Sequence, residues 1–136
     1  MDRELFEAAL KVREFAHAPY SHYRVGAALR TEGGSVHAGC NVENASYPEG
    51  WCGETSAIAR MVGAAIAAPE RRVAAVCVVA ERIEGRLVTP CGGCRQRLAE
   101  FAGPDTPVHV SDPDGRGQTF RLAELLPAAF ALDARS

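Results

Sequence analysis

The chain is 136 residues long, 47% hydrophobic and 24% charged, with a formal net charge of −2. These figures fit one globular domain with a proper core and exclude disordered, collagen-like and membrane classes. A nearly neutral chain also carries no basic footprint for a phosphate backbone, so a nucleic acid polymer is not an expected partner.

The first residues, Asp2, Arg3 and Glu4, are charged where a signal peptide would be apolar, and no later apolar run reaches membrane-spanning length. A cytoplasmic protein with no membrane partner is expected. From Asp2 to about His17, the residues Leu5, Ala8, Ala9, Val12, Phe15 and Ala16 recur at spacings of three and four, which predicts an amphipathic helix. The segment His17-Ala18-Pro19-Tyr20-Ser21 breaks it. Tyr23 to Arg30 and Ser35 to Asn41 then read as the strands of a hairpin turning across Thr31-Glu32-Gly33-Gly34.

Asn44 to Gly50 is a loop, and a second helix is predicted from Cys52 to about Ala67, closed by Pro69. Val73 to Ala80 is an unbroken apolar run, the pattern of a central strand covered on both faces. In Thr89-Pro90-Cys91 a capping side chain precedes a proline, which predicts a third helix from Pro90 to about Phe101 with Cys91 and Cys94 in its first turn. Pro107 to Val110 and Thr119 to Leu122 read as short strands around a turn at Asp112-Pro113-Asp114-Gly115, and a last short helix covers Leu122 to Leu126. This order predicts an α/β fold, a three-layer α/β/α sandwich on a mixed sheet of about five strands.

Five cysteines, Cys40, Cys52, Cys77, Cys91 and Cys94, make an odd count that argues against a disulfide framework and toward metal binding, catalysis or burial. Cys52-Gly53-Glu54 and Pro90-Cys91-Gly92-Gly93-Cys94 both place thiols at a predicted helix start, where the helix dipole favours the thiolate that binds metal. Three thiolates suit Zn2+, and three protein ligands leave a fourth position free for water, as in a catalytic site. Glu54, two residues beyond the first ligand, stands beside such a metal as a proton acceptor.

Cys52-x-Glu54 followed at a distance by Pro90-Cys91-x-x-Cys94 resembles the signature of the zinc nucleoside and nucleobase deaminases. The likeness widens to Pro19-Tyr20-Ser21-x-Tyr23-x-Val25-Gly26-Ala27-Ala28-Leu29, to Asn41-Val42-Glu43-Asn44-Ala45-Ser46-Tyr47-Pro48 and to Pro90-Cys91-Gly92-x-Cys94-Arg95-Gln96, all similar to small single-domain cytidine deaminases. The resemblance implies one cytidine deaminase-like domain over residues 1–136 that binds a small-molecule nucleoside and converts cytidine or deoxycytidine to the uridine product plus ammonia. It further implies a homotetramer with shared active sites and a role in pyrimidine salvage. It assigns the ribose hydroxyls to Asn41 and Glu43 and a place against the pyrimidine to Tyr23. The carbonyl of Gly53 is assigned to the substrate amino group, and Phe130 to a neighbouring subunit's base. An amide and a carboxylate at alternate positions do project to one side of a strand end.

Two positions depart from that family. Thr55 stands where most members carry an arginine that offsets the charge of the sulfurs. The two helix N-termini, helped by Arg95, are expected to take over. Gly53 replaces the usual alanine, and the missing methyl is expected to admit bulkier N4-substituted cytidines. A related deaminase acting on another amine, such as blasticidin S, is therefore the alternative.

More distant readings are a thiol redox pair at Cys91 and Cys94, or a closed structural zinc site with Cys40 as fourth ligand. Cys77, inside the apolar strand, reads as a packing residue. His17, His22, His37 and His109 form no ligand spacing, and Asp112-x-Asp114-Gly115 reads as a turn rather than a calcium loop.

Overall fold

In the computed structural model, which describes residues 2–132, five strands form one mixed sheet. The first helix, α1 (Arg3–Arg13), is capped by Asp2, whose carboxylate accepts from the Leu5 amide at 3.1 Å and is clamped by Arg30 at 2.7 and 3.1 Å. It ends earlier than its apolar period implied. His17 is drawn into backbone bonds with Asn41 and Glu43, at 3.0 and 2.8 Å, and this turns the chain away from the helix axis.

Strands β1 (Val25–Thr31) and β2 (Val36–Cys40) form the predicted hairpin. Tyr23 and Arg24 stay outside β1 because the Asn41 amide group takes the place of a neighbouring strand, accepting from the Val25 N–H and donating to the Tyr23 carbonyl, both at 2.8 Å. Helix α2 (Gly53–Ala64) follows the loop after β2. It stops short of Ala67, and the Arg71 guanidinium satisfies the carbonyls of Val62 and Ala65 at 2.9 and 2.7 Å.

Strand β3 (Val73–Ala80), helix α3 (Gly92–Phe101) and strand β4 (Pro107–Ser111) form a crossover unit, so β4 runs parallel to β3 while every other pair is antiparallel. Strand β5 (Gly117–Arg121) and helix α4 (Leu122–Leu125) complete the chain, and the sheet order is β2-β1-β3-β4-β5. The apolar run of β3 lies at the centre, as its composition implied. Val76 and Val78 face a core shared with α2, α3 and α4, whereas Cys77 and Val79 face the core under α1. Cys77 is a packing residue, 1% exposed, and burial pushes its thiol up to about 12.

Close approach of α2 to the sheet requires Gly39. A Cβ there would stand 2.4 Å from the Ala57 amide nitrogen, a distance no packed atom tolerates. That contact sets the depth of α2, and with it the position of Cys52.

Candidate metal centre and active site

Cys52 and Cys91 are the caps of α2 and α3, both in extended conformation, and neither lies inside its helix. This corrects the expectation that Thr89 caps α3 and Pro90 opens it. The Thr89 hydroxyl instead accepts from Arg95 at 2.8 Å, and the helix begins at Gly92. Cys94, in the first turn of α3, completes the group. The three Sγ atoms lie within 4.8 Å of one another.

That spacing fits zinc. A tetrahedral ion with Zn–S bonds of about 2.3 Å holds its sulfurs ~3.8 Å apart, within the 4.8 Å span these three occupy. Cys94 is buried, Cys52 partly so, and Cys91 exposed. Hydrogen bonding from the Cys94 thiol, helped by Cys91 and by the charge of Arg97, outweighs burial and lowers Cys52 to about 6. The same contact holds the Cys94 proton in place and raises that thiol. Of this pair, Cys52 is therefore the sulfur more easily held as a thiolate. Cys40, at the end of β2, is not part of this group, so the closed site with a fourth sulfur is not formed.

Glu54 is 4% exposed, and burial raises its carboxyl pKa, as does the charge of Cys52. Cys52, Glu54 and Cys91 line one cavity of about 620 Å³, a size suited to a small organic molecule. Asn41, Glu43 and Gly53 lie on its wall, so segments before α2 and before α3 close on a single space.

The chain matches the family model of the cytidine and deoxycytidylate deaminase zinc-binding region over residues 1–110. The chain belongs to this deaminase family. A cytidine deaminase of Halalkalibacterium halodurans is 42% identical over 98% of this chain and 97% of its own length. The crystal structure of the Burkholderia pseudomallei cytidine deaminase superposes with a TM-score of 0.86 at 40% identity, covering 96% of this chain and 99% of the other. The Mycobacterium tuberculosis cytidine deaminase gives a TM-score of 0.76 at 34% identity, over 97% and 99% of the two chains.

Within this deaminase the remaining expected residues fall in different places. Asn41 braces β1 as described, and Glu43 accepts from the amides of Tyr20 and Ser21 at 3.0 and 3.1 Å and from the Ser21 hydroxyl. The Ser21 contacts hold the Glu43 carboxyl below the usual carboxylate range. Tyr23, expected against the pyrimidine, stands outside the cavity lining, its hydroxyl donating to the Glu81 carbonyl at 2.5 Å. Phe130 is 68% exposed and also outside the cavity.

Arg95 does not balance the sulfurs, because its guanidinium is spent on Pro90, Leu125 and Thr89. Thr55 does reach them, with Oγ1 3.8 Å from Cys94 Sγ. The methyl missing at Gly53 would lie 3.4 Å from Val25 and from the Gly39 carbonyl, in ordinary contact with β1 and β2. Sequence reasoning missed Tyr20, Tyr47 and Trp51, exposed aromatics that line the same cavity. Tyr20 and Tyr47 lie inside the motifs that carry the family resemblance, without a role assigned to them there, and Trp51 directly precedes Cys52.

Proposed function

We propose that this chain catalyses the hydrolytic deamination of cytidine or deoxycytidine to the uridine product and ammonia, with Cys52, Cys91 and Cys94 holding zinc and Glu54 moving the protons. The observation that carries this reading is the meeting of three sulfurs and a buried carboxyl beside one cavity. Zinc, when bound, supplies the Lewis acid that makes water nucleophilic near neutral pH.

The chain's own groups do the rest. Glu54 accepts one proton of the attacking water and delivers it to the ring nitrogen as the water oxygen bonds to the amino-bearing carbon. It then takes the proton of the newly added hydroxyl and passes it to the amine, which leaves as ammonia as the C–N bond breaks and the carbonyl forms. Its raised pKa suits a group that alternates between charged and neutral forms. Asn41 keeps one N–H and one lone pair beyond its backbone bonds, and Glu43 keeps free lone pairs, so both retain capacity for ribose hydroxyls. The Gly53 carbonyl takes the substrate amino group.

Phe130 serves a neighbouring copy, since it does not line its own chain's cavity. Exposed Tyr20, Tyr47 and Trp51 support the same arrangement, a homotetramer with shared sites, because large aromatics around a cavity mouth mark a surface that association would cover. Residues 1–136 act as one domain, with a place in cytoplasmic pyrimidine salvage.

The test couples zinc analysis to the ultraviolet change on cytidine conversion, with Glu54→Gln alongside. Deoxycytidine, N4-methylcytidine and blasticidin S complete the substrate panel. Stoichiometric zinc with cytidine turnover, and retained zinc without turnover in the variant, is the expected result. Zinc-loaded protein that releases ammonia from none of the four substrates overturns it.

A further inference from the structure

Arg95 follows Cys94 directly, yet its side chain points away from the sulfurs. Nε donates to the Pro90 carbonyl at 2.6 Å, one terminal nitrogen to the Leu125 carbonyl at 2.6 Å, and the other to the Thr89 hydroxyl at 2.8 Å. Two of these acceptors belong to the residues immediately before Cys91, and the third is the last residue of α4. The Arg95 amide also donates to the Cys91 carbonyl at 2.9 Å.

One planar fork therefore joins the segment that delivers Cys91, the helix that delivers Cys94, and the C-terminal helix. Leu87 to Cys91 belong to no strand or helix, so periodic backbone bonding does not hold this stretch. Cys91 is also the exposed member of the three sulfurs, the one least held by packing. A rigid guanidinium with five N–H groups satisfies acceptors in three directions at little entropic cost, whereas an ammonium on a flexible stem does not.

We propose that Arg95 is a positioning residue of the metal centre, fixing the Thr89–Cys91 segment, and hence the Cys91 sulfur, against α3 and the end of α4. The inference rests on the zinc reading above. It also makes α4 part of the support of the metal loop, although α4 contributes no ligand.

The experiment measures zinc affinity of the full-length protein and of Arg95→Ala and Arg95→Lys by competition with the chromophoric chelator 4-(2-pyridylazo)resorcinol. Loss of a group that orients a ligand weakens metal binding by roughly 10–100-fold. Arg95→Ala is expected in that range and Arg95→Lys between it and the parent. Millimolar guanidinium ion, filling the vacated space, should restore much of the affinity of the alanine variant. Should that variant not fold, the lysine variant reads the same effect.

Affinities of the folded variants equal to the parent, or a loss in Arg95→Ala that guanidinium does not reverse, overturn the proposal and leave the zinc reading standing. A parent protein that takes up no zinc sinks the zinc reading itself, and the proposal with it.

Discussion

The hydroxyl of Thr55 lies 3.8 Å from the sulfur of Cys94, joining the first turn of α2 to the first turn of α3. A neutral donor thus meets the metal ligands where the family resemblance implies an arginine. With Arg95 engaged elsewhere, the positive field at Cys52 and Glu54 comes from Arg97, across the first turns of α3, and from the helix N-termini.

Thr55→Val removes the donor and keeps the shape. A hydrogen bond of this kind contributes about 1 kcal/mol, so zinc affinity should fall several-fold in chelator competition. An unchanged affinity would show that the contact is packing alone.

Cys91→Ala and Cys40→Ala should part company completely. Removing one of three sulfurs abolishes stoichiometric zinc and turnover, whereas Cys40, outside the sulfur group, is dispensable for both. Metal analysis of the two purified variants decides it, and zinc loss from the Cys40 variant would bring the four-sulfur site back.

Two glycines make an opposed pair. Gly39→Ala drives a methyl to within 2.4 Å of the Ala57 amide, on a helix that cannot retreat without moving Cys52, and should cost about 1–3 kcal/mol or more together with zinc. Gly53→Ala places its methyl in ordinary contact at 3.4 Å and should stabilise by about 0.4–1 kcal/mol through the unfolded chain. It should also leave the ratio of cytidine to N4-methylcytidine turnover unchanged. Denaturant melts and the two-substrate comparison test both halves, and a shifted ratio would restore the idea of an enlarged amine pocket.

Acid should act through Asp112. Its carboxylate accepts from Arg82 at 2.8 Å and from the amides of Asp114 and Arg116 at 3.0 Å, and chiefly the Arg82 contact lowers its pKa below the ordinary 3.8. A carboxyl with a lowered folded pKa stabilises fully above its unfolded value and loses that contribution as pH falls through the folded one. Asp112→Asn should therefore cost about 1–3 kcal/mol at pH 7, and the gap should narrow toward pH 3. Thermal melts at both pH values would show parallel behaviour if the pair were unimportant.

Much of the fold was legible in the residues. The valine-rich run of β3 reads as a strand covered on both faces, and it is, with alternate side chains entering separate cores. Element ends were less legible. Asn41 stands in for a strand neighbour and Arg71 closes the end of α2, and both act across many residues, where no local period points to them.

By itself the sequence determined the order of elements, the burial of β3, and the chemical kinds in the site, because periodicity and residue type act locally. The grouping of Cys52 with Cys91 and Cys94 was already written in their motif, and the structure brings the three together. Tertiary structure alone decided that Arg95 braces the loop rather than the sulfurs and that Tyr23 turns to Glu81. Each of these is a choice of partner. A side chain in a loop takes its direction from groups brought near by packing, and those come from distant parts of the chain.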